Sequence, residues 1–350
     1  MSLASRVADF VRQQALKRST GLVAVSSGPD SVALAHALHS HLLSGELERL
    51  VLVHVNHLLR GSESDEDERW VLEMAQDWPG AKAEKLSARS ARIDAAEQAK
   101  QGGDNLENAA RKLRYAWFAQ VAREEQAAWV AVGHTADDQA ETVLFRLLRG
   151  AGIHGLAGMS DSRPLAPGVQ VVRPLLSVRR GEVLAYLREH GLSYRVDSSN
   201  LDERFTRNRL RAELLPLLQH RYNPRIVETL MRLAEQARDL DADLQRHALE
   251  LLAHAELPRA GDTLVFSLER LQPCSANEIA EMFRRVWSRE GWPAAAMDFV
   301  AWRRLADLAH GGATAWDFPG PIHAVRRERV LQLTPARPSA MAEHSLSWDE

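Results

Sequence analysis

The segment SSGPDS at residues 26–31 has the composition of a phosphate-binding loop. Its small residues let backbone N–H groups approach an anion, and the helix predicted to follow would present its positive end there. Ser26 and Ser31 add hydroxyl donors, whereas Asp30 would repel phosphate and is predicted to hold Mg²⁺ that bridges the carboxylate to phosphates. The alternative is that these residues only favour a turn. Because the segment lacks the lysine of GxxxxGK[ST], it is not that phosphate loop.

Two carboxylates lie one helical turn apart in a second segment. On a helix predicted over 138–149, Asp138 and Glu141 share one face, and the apolar residues lie on the other. Such a pair could hold an ammonium group or a metal ion. The residues alone favour the alternative of a solvated charged face, on which the carboxylates pair with Arg146 and Arg149.

A helix predicted to begin near Leu106 carries two arginines beside two aromatic residues. Arg111, Arg114, Tyr115 and Phe118 fall on one stripe of this helix. Arginines next to aromatic rings suit contacts with phosphates and bases, and ordinary surface packing of arginine stems is equally common.

Residues 173–225 contain eleven arginines, no lysine and six acidic residues. An all-arginine positive surface suits forked contacts with phosphates and base edges. The alternative is that these charges balance the acidic residues at 63–68.

Three apolar segments predict the strands that position these residues. GLVAVS from Gly21, LVLVHVNH from Leu50 and AWVAVGH ending at His134 read as buried strands separated by helices. This alternation predicts an α/β fold with a doubly wound, mainly parallel, Rossmann-like sheet. Ligands of such sheets bind beyond the carboxyl ends of the strands, where we expect the active site. The residues predicted at that edge are Ser26, Ser27, His54, Asn56, Gly133 and His134. His54, Asn56 and His57 are candidates for contacts with nucleotide or substrate, and the alternative is that the histidines are structural.

The alternation of strands and helices stops beyond Pro216. Asn223 and Pro224 open a long helix, for which packing against a neighbouring domain is preferred over a coiled coil. A helix over 276–289 and the strands TLVFSL and ERVLQL then predict a smaller helical α+β domain. The predicted domains are 1–216 and 217–350, and the segments GSESDEDER and QGGDN are predicted to be loops.

Composition excludes several classes of protein. The single cysteine, Cys274, excludes a disulfide framework and any site that needs two thiolates. Without a segment of about 18 uninterrupted apolar residues or a signal-peptide pattern, we expect a cytoplasmic protein with no membrane partner. A net charge of -3 gives no global argument for nucleic acid, although it can hide a local basic surface. The sequence does not determine the oligomeric state, and a homodimer is one of the alternatives.

The segment VAVSSGPDS resembles the SGGxDS pyrophosphatase loop of the N-type ATP pyrophosphatases, with Ser27 in place of the first glycine. Those enzymes adenylate a substrate and release pyrophosphate. Three longer segments are similar, in the same order, to blocks of the tRNA(Ile)-lysidine synthetase family. They are HVNHLLRGSESDEDERWV, GHTADDQAETVLFRLLRGAGIHGLAGM and DSSNLDERFTRNRLRAELLP. The resemblance covers most of residues 20–220 and is highly specific, and the region after 220 resembles the family's tRNA-contacting domain more loosely.

This resemblance implies a two-step reaction on the wobble cytidine of the CAU anticodon in an isoleucine tRNA. ATP would activate the C2 carbonyl oxygen of the base and release pyrophosphate, and the ε-amine of L-lysine would then displace AMP. The cofactors implied are ATP, as a substrate, and Mg²⁺ at Asp30.

The resemblance also assigns roles to individual residues of this sequence. The implied catalytic residues are Asp30, Arg114, Asp138 and Glu141, of which Asp138 and Glu141 would also bind lysine. The implied ATP-binding residues are Ser26, Ser27, Gly28, Pro29, Asp30, Ser31, His54, Asn56 and His134. The implied tRNA contacts are Arg111 and the RNxxR residues Arg207, Asn208 and Arg211. Asp197 and Asn200 are expected to fold the loop before that signature.

Three alternatives stay open: an enzyme of the same superfamily, a binding module of a different class, and an amidotransferase-linked synthetase. A tRNA thiolase also adenylates a base carbonyl, but its sulfur transfer uses cysteines, and a single cysteine argues against it. A non-catalytic module that binds nucleotide and RNA is conceivable because Ser27 departs from the loop pattern, whereas the DDQAET carboxylates argue against it. An amidotransferase-linked synthetase is weaker still, since no glutaminase-like cysteine motif is visible.

Overall fold

A computed structural model of the chain describes residues 2–81, 84–102, 105–195 and 206–335. The predicted loop with Asp197 and Asn200 lies outside the described residues. Two compact units divide between Gln236 and Ala237. This division falls later than residue 216 because apolar residues at 227–234 share a core cluster with residues at 140–144. As a boundary between functions, the division after 216 stays a prediction.

The first unit contains a six-stranded sheet in the order β3-β2-β1-β4-β6-β5. Its strands are β1 (Thr20–Ala24), β2 (Arg49–Asn56), β3 (Leu86–Arg92), β4 (Trp129–Ala131), β5 (Ser162–Ala166) and β6 (Val169–Val172). Neighbouring strands are parallel, except that β5 runs antiparallel to β6. Because β2 and β4 lie on opposite sides of β1, the chain changes direction across the sheet between β1 and β4. Ligands of open α/β sheets bind at such a switch point.

One helix precedes β1, and other helices follow most of these strands. They are α1 (Leu3–Gln13), α2 (Pro29–Leu43), α3 (Ser62–Asp77), α4 (Ala95–Gly102), α5 (Leu106–Glu124), α6 (Ala136–Leu148), α7 (Ile153–Leu156), α8 (Arg180–Glu189), α9 (Thr206–Arg209), α10 (Leu215–Arg221) and α11 (Ile226–Ala255). A π-helical segment, Leu210–Leu214, connects α9 to α10. Within the described ranges, no helix is long and apolar enough to cross a membrane.

Buried side chains cover both faces of the sheet, which confirms the doubly wound prediction. Val23 of β1 packs on one face with apolar residues of α1, α2, α3 and α8. Its neighbour Leu22 packs on the other face, where Phe118 and Val121 of α5 belong to the same cluster. The alternation follows from the two-residue period of a strand.

One predicted loop is wrong. The acidic segment GSESDEDER forms the start of α3 instead of a turn-like linker. Acidic residues in the first turn favour the positive end of a helix. In addition, Arg60 and the distant Arg195 both contact Asp67, at 2.7 and 2.6 Å, so their positive charges offset the clustered negative charge. In QGGDN, residues 101 and 102 end α4, and 103 and 104 lie outside the described ranges.

The second unit is the predicted smaller α+β domain. Its elements are β7 (Glu256–Ala260), β8 (Thr263–Ser267), α12 (Leu268–Leu271), α13 (Ala276–Glu290), α14 (Phe299–His310), β9 (Ala315–Phe318), β10 (Ile322–Arg326) and β11 (Val330–Pro335). The five strands form an antiparallel sheet in the order β7-β8-β11-β10-β9. Phe283 and Trp287 of α13 and Leu305 of α14 are fully buried in its core.

Candidate active site

A cavity of about 700 Å³ lies at the carboxyl edge of the first sheet, where residues that follow β1, β2 and β4 meet. This volume is typical of small-molecule sites. The predicted site residues that line it are Ser26, Gly28, Pro29, Asp30, Ser31, His54, Asn56, Arg114, His134, Asp138, Glu141, Arg207, Asn208 and Arg211. Ser27 and Arg111 are not among the lining residues. The sheet therefore brings most of the predicted residues into one cavity.

The loop at 26–31 is held by its own hydrogen bonds and leads directly into α2. Gly28 caps the helix, and Pro29 occupies its first turn. The Ser31 hydroxyl accepts from the Ser26 N–H at 3.1 Å and donates to the Gly28 carbonyl at 2.9 Å. A Cβ at Gly133 would stand 3.0 Å from the Ser31 nitrogen, so a larger residue would force the end of β4 away from this loop.

Ser27 adopts the left-handed backbone conformation, with φ 65°. Glycine reaches this region without a steric penalty, whereas the Cβ of another residue clashes with the backbone. Ser27 is also 3% exposed, and its carbonyl oxygen accepts a hydrogen bond from the Arg195 N–H at 3.0 Å. The loop thus keeps a backbone shape suited to glycine while carrying serine.

Replacing Ser27 with glycine is expected to stabilise the first unit by about 1 kcal/mol, because it relieves this strain. The midpoint of thermal unfolding should rise by roughly 2–4 °C, measured by circular dichroism. Ser44→Gly is the matched control, since Ser44 has φ -76° and its hydroxyl donates to the His41 carbonyl. A similar shift in both variants would contradict the argument from backbone strain.

Asp30 combines burial with an unused oxygen. Burial raises the pKa of its carboxyl to about 6, against the opposing charge of Arg180, whose guanidinium lies 3.6 Å away. Its Oδ1 is buried without a hydrogen-bond partner. The described ranges contain no group of three or more His, Cys, Asp or Glu that could hold a metal. A single carboxylate still fits Mg²⁺, which is usually bound through one or two carboxylates, substrate phosphates and water.

Asp138 and Glu141 are paired with arginines that the sequence assigned to tRNA. Arg211 contacts Glu141 Oε1 at 2.5 Å and Asp138 Oδ1 at 2.9 Å, and Arg207 contacts Glu141 Oε2 at 3.3 Å. Arg211 lies in the π-helical segment, a geometry that recurs at functional sites. The predicted lysine site is therefore filled by guanidinium groups in this structure.

The described part of the chain does not contain the alternative ion pairs, in which the α6 carboxylates would contact Arg146 and Arg149. Arg146 donates to the carbonyls of Gly155 and Gly158 at 2.9 and 3.0 Å, and Arg149 lies 4.6 Å above the Phe145 ring. Among the described residues, neither arginine forms an ion pair with the carboxylates of α6. Asp138 and Glu141 thus face the cavity and not a solvated helix surface.

The two carboxyls differ in acidity. Asp138 is buried, but hydrogen bonds from Thr135 and the charge of Arg211 hold its pKa below the usual value. Burial raises the pKa of Glu141 despite its contact with Arg211. Asp138 therefore stays ionised, and Glu141 is the stronger proton acceptor of the two.

The histidines of the site are neutral at physiological pH. Burial lowers the pKa of His134 to about 3 and of His57 to about 4, and the Nδ1 of each is buried without a partner. His54 donates Nδ1–H to the Val25 carbonyl at 2.8 Å. The Nδ1 atoms of His57 and His134 can form hydrogen bonds with a bound ligand, whereas the Nδ1 atom of His54 already bonds to the Val25 carbonyl.

Asn56 mainly supports the loop that follows β2. Its amide donates to Asp65 and Glu68, at 3.0 and 3.2 Å, and its carbonyl oxygen accepts from the Leu58 N–H at 2.9 Å. A role of Asn56 in nucleotide binding stays a prediction.

Several charged and polar residues line the cavity without having been predicted as site residues, among them Arg60, Glu107, Arg180 and Tyr194. Arg180 belongs to the arginine-rich stretch, so composition signalled it without indicating its proximity to Asp30. Cys274 is not among the lining residues, and burial raises the pKa of its thiol. It therefore lacks the thiolate character that sulfur transfer would need.

Comparisons with known proteins identify the family of the chain. A family model described as a PP-loop domain matches residues 1–218. The chain belongs to this PP-loop family, and the loop at 26–31 lies within the matched residues. The class defined by fold and site is therefore that of a PP-loop protein, and ATP is supported as its nucleotide.

Curated relatives narrow the resemblance. A tRNA(Ile)-lysidine synthase of Bacillus subtilis is 39% identical over 241 residues, covering 68% of this chain and 49% of the relative. That of Geobacter sulfurreducens is 46% identical over 231 residues, covering 66% of this chain and 46% of the relative. The predicted resemblance to tRNA(Ile)-lysidine synthetase is thus confirmed. The chain spans about half the length of the curated relatives it matches.

Among solved structures, a U34-tRNA thiolase of Methanococcus maripaludis, with its [4Fe-4S] cluster, has a TM-score of 0.51. The likeness covers 67% of this chain and 78% of the thiolase, at 19% identity. At this identity the likeness concerns the fold alone. The likeness therefore gives no support to a thiolase function for this chain.

Proposed function

We propose that this protein ligates L-lysine to C2 of the wobble cytidine of a CAU-anticodon isoleucine tRNA, with ATP converted to AMP and pyrophosphate. The observation that carries the proposal is that one cavity joins the phosphate loop to the carboxylates of Asp138 and Glu141. The name of the relatives supports tRNA(Ile) as the partner. A cytoplasmic location and a homodimer stay expectations.

In the first step, the phosphate loop would bind the pyrophosphate part of ATP. The first turn of α2 offers backbone N–H groups, and Ser26 and Ser31 offer hydroxyls. Asp30 would hold Mg²⁺ at its unpartnered oxygen. When bound there, Mg²⁺ supplies neutralisation of the negative charge on the phosphates.

Adenylation of the base is needed because the C2 oxygen of cytosine is a poor leaving group, whereas AMP is a good one. Arg114 lines the cavity, and no carboxylate among the described residues forms an ion pair with it. Its charge is therefore available to the phosphates during the transfer. His134 adds a neutral ring nitrogen without a partner.

In the second step, lysine would replace the guanidinium groups at Asp138 and Glu141. An ammonium group can occupy the position between the two carboxylates that Arg211 now fills. The amine must lose its proton before it attacks, since its ordinary pKa is about 10.4. Glu141 is the better candidate for this proton because burial raises its pKa, while Asp138 holds the charge of the amine.

The proposal is tested by supplying the purified protein with ATP, Mg²⁺ and unmodified CAU isoleucine tRNA, with and without lysine. AMP release coupled to one lysine incorporated per tRNA is the expected result. The same tRNA with guanosine at the wobble position is the control, because its base presents no cytosine carbonyl. Nucleotide binding without AMP release or lysine incorporation would contradict the proposal and favour the non-catalytic module.

A further inference from the structure

Three arginines lie around the ring of Tyr115 at one wall of the cavity, and a fourth acts on Tyr115 through its charge. The guanidinium carbons of Arg111, Arg114 and Arg163 lie 5.1, 5.9 and 4.7 Å from the ring centroid. Arg173 is 3% exposed and also acts on Tyr115 through its charge. We call Arg111, Arg114, Arg163 and Arg173 the Tyr115 arginine cluster.

The charges of this cluster lack the carboxylate partners that other arginines near the cavity have. Five of these other arginines form an ion pair with a carboxylate: Arg179, Arg180, Arg195, Arg207 and Arg211. Among the described residues, no carboxylate forms an ion pair with any member of the cluster. Glu107 acts on Arg114 only from beyond ion-pair distance.

Buried polar atoms in the same region also lack partners. Arg173 donates from Nη1 to the Ser160 carbonyl at 2.7 Å, but its Nε is buried with no partner. The charges of Arg173 and Arg111 also act on His134, whose Nδ1 is unpartnered. Concentrated positive charge that is partly removed from water is costly unless an anion offsets it. The cluster is therefore suited to bind a ligand with negative charge.

The position of the cluster indicates what kind of anion binds. Arg114 and Tyr115 line the cavity, whereas Arg111, Arg163 and Arg173 do not. Arg111 and Arg163 are partly exposed, so an anion bound to them must belong to a ligand that extends beyond the cavity. A nucleotide whose base enters the cavity carries a phosphodiester on each side of its ribose, and such phosphates commonly fix the register of a bound strand.

We propose that the Tyr115 arginine cluster binds the phosphodiester backbone of single-stranded RNA next to the nucleotide that reacts. This inference rests on the proposed function and assigns a new RNA contact to Arg163. Arg173, which is 3% exposed, adds positive charge to the cluster without contacting the RNA. Arg207 and Arg211, in contrast, are engaged with Asp138 and Glu141, so they are less available to RNA until lysine displaces them.

The test measures binding of a fluorescent anticodon stem-loop RNA with a CAU anticodon to the full chain. Arg163→Gln is expected to weaken binding about tenfold. The slope of log Kd against log salt should fall by about 0.7 to 1. Arg123→Gln is the control, because it removes the same charge from an exposed arginine on α5 and should bind as the wild type does.

A neutral methylphosphonate placed at each linkage beside the wobble cytidine identifies the phosphate. At one linkage it should weaken binding to the wild type and have no further effect on Arg163→Gln. Equal binding by Arg163→Gln and Arg123→Gln, or full additivity at every linkage, would overturn the inference. Lysine incorporation by the wild type on the same RNA is scored in parallel, so that failure of the proposed function is distinguished from failure of the RNA contact.

Discussion

Replacing Asp30 with asparagine is expected to lower the rate of tRNA-dependent AMP release at least about 100-fold. The substitution keeps the shape of the side chain and removes the charge that would hold Mg²⁺ beside the phosphates. The effect should be on turnover, measured as AMP formed at saturating ATP and tRNA. Asp239→Asn, at an exposed position of α11, is the matched control and should leave the rate unchanged.

The same substitution should stabilise the free protein. The folded pKa of Asp30, about 6, lies above the ordinary aspartate value of 3.8, so ionisation costs stability as pH rises through that interval. Above pH 6 the full cost is up to about 3 kcal/mol, and at pH 4 little of it is present. Unfolding by urea at both pH values measures the difference between variant and wild type. A variant that is inactive and also destabilised at pH 7 would indicate structural damage and contradict the assignment.

The sequence predicts the fold well because its signals are local. Apolar strands such as 50–57 read directly as buried, and the polar residues after them must meet at one edge of a parallel sheet. The carboxylate pair on α6 follows equally from helical spacing. These features need only a few neighbouring residues to be recognised.

Contacts between distant residues could not be predicted in this way. Arg211 reaches Glu141 from 70 residues along the chain, and Arg195 reaches Asp67 from 128 residues. The first contact fills the predicted lysine site with an arginine, and the second helps an acidic segment form a helix. The left-handed conformation of Ser27 could not be predicted either, because serine also adopts an extended backbone conformation. Packing between residues that are distant in sequence determines both contacts and the conformation of Ser27.

Replacing Glu141 with glutamine is expected to separate the two steps of the proposed reaction. Glu141 is 1% exposed, and the substitution keeps its volume while removing both its charge and its ability to accept a proton. Lysine incorporation should fall at least about 100-fold, because general base catalysis and the contact with the amine are lost together. Adenylation of the base needs neither, so tRNA-dependent exchange of labelled pyrophosphate into ATP should stay within about threefold of the wild type.

The arginines around Glu141 decide how this result is interpreted. Loss of one carboxylate leaves Arg207 and Arg211 with Asp138 alone, so the variant also tests whether their pairing supports the fold. Glu235→Gln, at an exposed position of α11, is the control for charge removal and should change neither step. Equal loss of exchange and incorporation, with unchanged thermal stability, would mean that Glu141 acts in adenylation. Unchanged lysine incorporation would exclude Glu141 as the proton acceptor and leave that role to Asp138 or to water. Asp138 is the remaining carboxylate because, within the described residues, no carboxylate besides Glu141 and Asp138 contacts the guanidinium of Arg211.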